Sequence, residues 1–600
     1  MSTRQPYDGE SRKLIITLDV GTTFSGASYS ILEPGKVAQV SGVNRFPAQE
    51  NAGGDSKIPS ILLYDADDEL RAVGAEALQD DLQQLAEEEG WTKAEWFKLR
   101  LRPRAVDPEQ KLSRLPPLPP TKTIIDVFAD FLRYLFDCTK TYIQESHPSG
   151  AAFWAPFKDT FELVLTHPNG WEGRQQSLMR LAAVQGGIVP DDDAGRARVS
   201  FVTEGEASLN FCLSKGLLDG DLGSEGVIIV DAGGGTIDMS AYACKSMSND
   251  ITFVEIAPAR CVFQGAIMVK CNAEDYLRGH LKGSRCQDAV EDMVEIFDKK
   301  AKHTFKNPKI PVFIKFGTSR DNDPDFDIKL GKLTIRGEDV ASFFSPPIVA
   351  IAQGVLAQRS FAKHTIKAGY PPNTVFLVGG FAASPYLFGQ LRETLGPLGI
   401  EVCRPESTMN KAVADGGILH TLDHKVTARM ARFTYGIDAA VEYDNGIEEH
   451  AKRSNLVYFD PYDDCRRLHG RFYTILPMGT QVTETQEFVS PGFCIRRRPV
   501  DLETNSECVI MRYRGEHRDH LFMDAIADRV DKLCEIHVVP SDILDLLSIQ
   551  TDLGGACYYR GTFNVILLFG LTELKAQLQW YENFSCAPGV PRFGGLIPGG

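Results

Sequence analysis

Two stretches of the chain carry one hydrophobic pattern. Residues 14–30 read LIITLDVGTTFSGASYS, and residues 227–242 read VIIVDAGGGTIDMSAY. Each opens on an unbroken apolar run and breaks at an Asp–x–Gly step into small and hydroxyl residues. Each then resumes with alternation, through Phe24, Gly26 and Ser28 in one and Ile237, Met239 and Ala241 in the other. An apolar run, a Gly/Thr turn and a second alternating run predict a β-hairpin, here written twice. Asp19 and Asp231 stand 212 residues apart, a domain-sized repeat and not a solenoid period. Two similar lobes, each presenting an Asp–Gly turn, predict a cleft between them.

Helical spacing appears between the hairpins. Phe128, Phe131, Leu132 and Leu135 follow the i, i+3, i+4, i+7 pattern within 123–143. The proline-rich 103–121 before it predicts a surface insertion, with a polyproline ligand as the alternative. Residues 161–167 predict a strand, and a helix follows from about 172 to 183. In VSFVTEGEASLNFCLSKGL a strand turns into a helix at Glu204–Glu206. A helical stretch near 287–305, strands near 311–335 and a helix over 339–365 come next. TVFLVGGFAASPYLFGQL then repeats the grammar as a buried strand, Gly379–Gly380 and a helix start. Glycines between strand and helix admit close backbone approach, a nucleotide-binding layout. Beyond about 425 the runs RFYTILPM, ECVIMRYR, KLCEIHVV and FNVILLFG read as strands. Leu574, Ala576, Leu578 and Trp580 alternate with Lys575, Gln577 and Gln579, predicting one buried and one wet face. A separate β-rich domain is expected over 430–585, with disordered tails at 1–13 and 586–600.

Composition narrows the classes. At 600 residues, 43% hydrophobic and 24% charged, the chain has the make-up of a soluble globular protein of roughly three to five domains. A net charge of -16 disfavours nucleic acid and anionic membrane as partners. Arg496, Arg497 and Arg498 read as a solvated strand edge. The 13 cysteines show no C-x-x-C spacing, the N-terminus lacks a signal core, and no apolar run approaches membrane-span length. Reduced thiols, a cytoplasmic location and no membrane insertion are therefore expected. His420 and His424 stand four apart without a third ligand nearby and read as a helix face.

The glycine turns carry the chemistry. Successive exposed N–H groups form a nest that binds an anion, and Gly233, Gly234 and Gly235 remove the side chains that would block it. Thr22, Thr23 and Thr236 add hydroxyl donors. Carboxylates beside a phosphate nest repel it unless a cation intervenes, so Asp19, Asp231, Asp238 and Glu204 imply Mg²⁺. Phosphate, magnesium and carboxylates together point to ATP and phosphoryl transfer. No GxxxxGK[ST] stretch occurs, which excludes a P-loop enzyme.

The set LDVGTTFS, THPNGWEGRQQSLMRLAAVQGGI, VTEGEASLNF, VDAGGGTIDMS, VFLVGGFAASP and NKAVADGGIL resembles the actin/Hsp70/sugar-kinase superfamily. It is most similar to Hsp70, and within it to the divergent, lidless twelve-subfamily of fungal type. The resemblance implies an α/β fold: a duplicated ribonuclease-H-like, actin-like ATPase with two lobes over 14–425, then a β-sandwich-like substrate-binding domain over 430–585. Asp19, Gly21, Thr22 and Thr23 match the first phosphate motif, and Asp231, Gly233, Gly234, Gly235 and Thr236 the second. Gly265 is counted with the nucleotide contacts, Gly379 and Gly380 match the adenosine motif, and Pro168 matches the switch proline. Glu204 matches the acid that orders magnesium waters, and Asp19 and Asp231 would hold the metal mostly through water. DKKAKHTF resembles the adenine-clamping helix, placing Lys302 and His303 near the nucleoside. EWFKLRLRP resembles the segment of the catalytic lysine, which makes Lys98 the candidate; the residue pattern alone reads it as one cation of a surface helix with Lys93 and Arg100. The implied cofactors are ATP/ADP and Mg²⁺, and the implied partners an extended polypeptide client and nucleotide-exchange or co-chaperone proteins.

Departures from the family pattern bear on activity. Ala383 stands where the family has an adenine-packing Arg, QGAIMVK lacks the acids expected after the second hairpin, and Gly205–Glu206 replaces Pro–Thr. DHKVTARMARFTYGI replaces the apolar interdomain linker, and only 20 residues follow Trp580, too few for a helical lid. Three functions remain open: an ATP-hydrolysing chaperone-like switch, a pseudo-ATPase scaffold, and a small-molecule kinase of the same superfold.

Overall fold

Both hairpins form. In the computed structural model Lys13–Asp19 pairs antiparallel with Phe24–Leu32, and Val227–Ala232 with Ile237–Met247. The structure describes residues 4–598 apart from 53–55, 104–113, 218–225, 248–249, 366–370, 406–408, 461, 463–464, 497–505, 516–518, 539–547, 553, 570–572 and 582–590. Most of the proline-rich insertion, Arg497, Arg498 and part of the expected C-terminal tail lie outside the described residues.

Each hairpin's first strand takes a parallel neighbour on its other side, Glu162–His167 in one sheet and Thr374–Val378 in the other. Each sheet then adds a further parallel strand, Val199–Thr203 or Glu401–Cys403. Parallel strands covered on both faces read as continuous apolar runs. Leu14, Ile15, Ile16 and Leu18 are accordingly all buried, as are Ile228, Ile229 and Val230.

Helices supply the cover. Ile124–Ser146 starts on a capping box in which Thr123 Oγ1 accepts the Asp126 N–H at 3.2 Å and Asp126 Oδ2 accepts the Thr123 N–H at 2.6 Å. It buries the predicted stripe Phe128, Phe131, Leu132 and Leu135. Glu204–Ser214 packs against Ala412–Asp423 so closely that a Cβ on Gly416 would fall 1.9 Å from the Ala207 carbonyl oxygen. The helix Gly337–Thr365 departs from the sequence expectation: residues 337–364 are long and apolar enough to cross a membrane by length and composition. Its Phe343, Phe344, Ile351 and Val355 join Ile228, Val230 and Met239 in one core, the position of a core helix.

The expected N-terminal tail is tied down over its described part. Arg4 donates to both Asp423 carboxylate oxygens at 2.7 and 2.8 Å, and the Tyr7 N–H bonds the Lys36 carbonyl at 2.9 Å.

The chain divides into two units, Met1–Trp171 with Leu178–Val426, and Glu172–Ser177 with Thr427–Gly600. In the second, all described strand pairs within the sheets that follow are antiparallel. One sheet runs Tyr458–Phe459, Arg466–Leu476, Thr434–Glu442, Ser506–Tyr513, Val530–Val538. Another runs Glu487–Arg496, Cys557–Phe569, Leu574–Tyr581, Pro591–Pro598, with Ser548–Thr551 beside Cys557–Phe569. The last of these strands lies where a disordered tail is expected; its backbone pairs with the edge of Leu574–Tyr581. Tyr435, Leu476, Ile510, Val565, Leu567 and Leu578 form a core shared by both sheets. Gln577, expected on a wet face, is buried at 5% exposure. Glu172 is held within this unit by the Tyr435 hydroxyl at 3.0 Å and by Arg512 Nη1 at 3.1 Å.

Candidate functional site

The two hairpin tips touch. A Cβ built on Gly234 would lie 2.2 Å from Thr23 Oγ1, and one on Gly235 would lie 2.4 Å from Thr22 Oγ1. Only glycine fits opposite those threonines. The Gly233 N–H closes the second turn onto the Thr236 carbonyl at 2.9 Å. All three glycine carbonyls point at the start of the helix Ala266–His280. The N–H groups of Gly265, Ala266 and Ile267 donate to Gly235, Gly233 and Gly234 at 3.2, 3.1 and 2.9 Å. Those donors are ones a helix start leaves without partners, and Gly265 offers no side-chain cap. A Cβ on Gly265 would strike the Gly234 carbonyl oxygen at 2.4 Å. Among the described hydrogen bonds, the N–H groups of Gly234, Gly235, Thr22 and Thr23 take no partner. Unpaired N–H groups on abutting, side-chain-poor turns have the chemistry of an anion nest.

Four carboxylates gather at the strand ends beside these turns. Asp19 accepts Thr166 Oγ1 at 2.8 Å on one oxygen and Lys57 Nζ at 2.6 Å on the other. Glu204, at the start of its helix, accepts Lys98 Nζ at 2.6 Å. Asp231 accepts Ser208 Oγ at 3.0 Å, and Asp238 accepts the Asn169 N–H at 2.6 Å. Lys98 is therefore no surface cation. It sits in the turn Phe97–Leu101 at 3% exposure, with its Nζ 5.6 Å from the centroid of the Trp171 ring.

Burial and mutual repulsion split the titration of this group. Burial pushes the Asp19 carboxyl up, but Lys57 and Lys98 outweigh it and hold the group below its ordinary value. Burial likewise pushes Lys98 down, and the carboxylates of Glu204 and Asp19 outweigh it, so its ammonium is held above the ordinary lysine range. Asp231 is pushed up to about 7, first by burial and then by the charges of Glu204 and Asp19. Asp238 is raised well above the usual carboxylate range by burial and by Glu204. Two ammonium groups thus face four acids. Among the described residues no three His, Cys, Asp or Glu side chains are grouped closely enough to hold a metal ion directly, so Mg²⁺ would be held here mostly through water.

No protein-family model matches the chain. It is 22% identical to human heat shock 70 kDa protein 12B over 654 aligned positions, which cover 94% of this chain and 89% of that protein. The likeness supports an Hsp70-like family.

Gly379, after the third buried strand, adjoins Asp231. Gly379 adopts φ +89°, and a Cβ there would lie 2.3 Å from Asp231 Oδ1, so this residue must be glycine both for its backbone and for the carboxylate beside it. Gly380 opens a short turn to Ala383, and Ser384 Oγ then caps the helix Pro385–Leu395 by accepting the Leu387 N–H at 3.3 Å. Beside Ala383, Arg404 donates to the Ala382 carbonyl at 3.1 Å and lies 3.9 Å over the Phe388 ring. Lys302 is buried and donates to Asp298 one turn earlier, whereas His303 is exposed. Neither shares a described hydrogen bond with the carboxylate group. Sequence reasoning passed over Lys57, Thr166, Asn169 and Ser208. Ser208 alone had a legible signal, since it stands one helical turn after Glu204 in EGEAS.

Asp231 makes the site unstable when nothing neutralises it. In the folded protein its carboxyl is pushed up to about 7, above the ordinary carboxylate range it has when unfolded, so the folded state binds more protons between the two. Its contribution to stability therefore falls as pH rises from about 4 through 7. Asp231→Asn keeps an acceptor for Ser208 and removes the loss. Without added ligand the variant is expected to be more stable than wild type by roughly 2–4 kcal/mol at pH 8 and to match it near pH 4, read by denaturant unfolding.

Proposed function

We propose that this chain is an Hsp70-like nucleotide switch. It binds ATP with Mg²⁺ between the two hairpin turns and hydrolyses it slowly, and its nucleotide state governs how the strand-rich C-terminal region binds an extended polypeptide client. The abutting turns with unpaired N–H groups, flanked by under-neutralised carboxylates, carry the reading. The recurrence of a hairpin with two parallel strands in two sheets supports treating 14–425 as duplicated actin-like lobes. The 22% likeness to a heat shock 70 kDa protein supports the same conclusion.

The roles follow from the chemistry. Thr22, Thr23, Gly234 and Gly235 donate to phosphate oxygens, while Gly21, Gly233, Thr236 and Gly265 fix the turns. Asp19, Asp231 and Glu204 orient water around the cation, which would neutralise phosphate charge. Lys98, held protonated, cannot act as a base; it orients the attacking water and offsets charge that develops at the γ-phosphate. Gly379, Gly380, Lys302 and His303 serve the nucleoside side. Nucleotide-exchange and co-chaperone proteins are the expected regulators.

The test is single-turnover hydrolysis of ATP with Mg²⁺ by the full chain. Slow phosphate release that is lost in Asp19→Asn supports the reading. ATP binding with no turnover above Asp19→Asn would leave a second reading, a nucleotide-binding scaffold, which Ala383 and the missing acids at 266–268 favour. No ATP-dependent shift in melting temperature would overturn both.

A further inference from the structure

Among the described residues, Lys57 is the one cation bonded to these carboxylates that no motif predicted and the reading above does not use. Its Nζ donates to Asp19 Oδ2 at 2.6 Å, and its side chain is 15% exposed. Its placement is built into the first hairpin. Ile58–Pro59 pairs with Ser25 and Phe24, and the Ser60 N–H donates to the Thr23 carbonyl at 2.9 Å. Ser60 Oγ donates to the Gly21 carbonyl at 2.8 Å and lies 2.7 Å from Ser25 Oγ, which accepts the Gly21 N–H at 3.1 Å. Residues 58–60 are thus stapled to the backbone of the turn that presents Thr22 and Thr23. The lysine stem also has a channel. Gly26 stands opposite Asp19 in the register, and a Cβ there would come within 3.1 Å of Lys57 Cγ.

The two lysines are held differently. Lys98 is 3% exposed and bonded to Glu204, with Trp171 beside it. Lys57 reaches Asp19 from a more open position, and its four-carbon stem can re-aim the ammonium without moving the backbone. Both Asp19 oxygens already accept a hydrogen bond, Oδ2 from Lys57 and Oδ1 from Thr166, so water around a cation would compete with Lys57 for this carboxylate. A phosphate oxygen seated on the neighbouring nest would offer Lys57 a second acceptor of equal charge type.

We infer that Lys57 is a phosphate-binding residue: it neutralises Asp19 in the nucleotide-free protein and exchanges that carboxylate for a phosphate oxygen when a nucleoside polyphosphate enters. The inference rests on the reading that this site takes ATP. One charge-assisted hydrogen bond replaces another, and Asp19 is released to the cation. Lys57 therefore carries part of the positive charge at the polyphosphate, and the protein retains nucleotide affinity when divalent cations are removed.

The test is titration of ADP and ATP into the full chain by calorimetry, in Mg²⁺ and in EDTA, for wild type, Lys57→Met, Lys57→Gln and Lys57→Arg. Wild type is expected to lose no more than about tenfold in affinity in EDTA. Lys57→Met and Lys57→Gln should lose about tenfold or more beyond wild type in EDTA and clearly less in Mg²⁺, and Lys57→Arg should restore most of the difference. Lys57→Gln keeps a donor without the charge, so it also reports on the charge if Lys57→Met unfolds. Equal affinities for wild type and both neutral variants in EDTA would overturn the inference and leave the ATP reading standing, as would tighter binding by the neutral variants. Absence of binding by wild type in both buffers would remove the ATP reading and this inference with it.

Discussion

Lys98→Ala is expected to slow single-turnover ATP hydrolysis by about 10²–10³-fold while leaving ATP affinity within about fivefold of wild type. The ammonium is buried, bonded to Glu204 at 2.6 Å and held above the ordinary lysine value by the surrounding acids. A permanent, positioned charge at a site of developing negative charge lowers the barrier more than it aids ground-state binding. Its removal should therefore appear in the chemical step. Lys98→Arg is expected to rescue poorly, because a planar guanidinium cannot occupy the space of a compact ammonium against the Trp171 ring. Quenched-flow phosphate release under single-turnover conditions reads the step, and calorimetry reads the affinity. Wild-type rates in Lys98→Ala would reduce this residue to a counter-ion for Glu204.

What was legible in the sequence followed from local pattern. The hairpins could be read because an apolar run that ends on Asp–x–Gly leaves a signature at consecutive positions, and the chain writes it twice. The strand-to-helix turn at Glu204 was legible for the same reason: Thr203 is a natural N-cap, and its hydroxyl accepts the Glu206 N–H at 3.2 Å. The carboxylate partners were harder. Lys98 was found through family resemblance, since nothing in EWFKLRLRP distinguishes a lysine that turns inward from its neighbours. Lys57 was missed because it precedes a strand of two residues, Ile58–Pro59, too short for any periodicity to register. Thr166 stands one residue before the end of the apolar strand Glu162–His167, where a lone hydroxyl carries no signal of its own.

Other differences arose from contacts distant in the chain. The polar N-terminus reads as a tail until Arg4 meets Asp423, 419 residues away. Gln577 alternates as a solvent-facing residue should, yet it is buried in its unit. Gly337–Thr365 looked unremarkable as a helix because Pro346 and Pro347 interrupt its apolar run without ending it. Periodicity reports which face of an element is apolar; it does not report what the fold lays over the other face.

Gly234→Ala is expected to weaken ATP binding by about a hundredfold or more, the largest effect on affinity predicted for a single methyl group in this chain. The added Cβ would stand 2.2 Å from Thr23 Oγ1, 2.8 Å from its Cγ2 and 3.0 Å from its Cβ. Because both Oγ1 and Cγ2 of Thr23 face the added Cβ, any rotation that turns one of them away leaves the other, or the Thr23 Cβ at 3.0 Å, against it. Neither turn can retreat freely. The three glycine carbonyls are bonded to Gly265, Ala266 and Ile267, and the Thr23 carbonyl accepts the Ser60 N–H. Overpacking of a tight contact costs about 1–3 kcal/mol, and here relief requires the two turns to part, which separates the N–H groups that must converge on one polyphosphate. The loss should therefore fall on binding more than on folding. Calorimetric titration measures the affinity, and thermal unfolding of the nucleotide-free protein serves as the control. Thr23→Gly in the Gly234→Ala background restores the space and should recover at least about tenfold of the affinity, less the contribution of the lost hydroxyl. Wild-type affinity in Gly234→Ala would mean that ATP does not bind where the two turns meet.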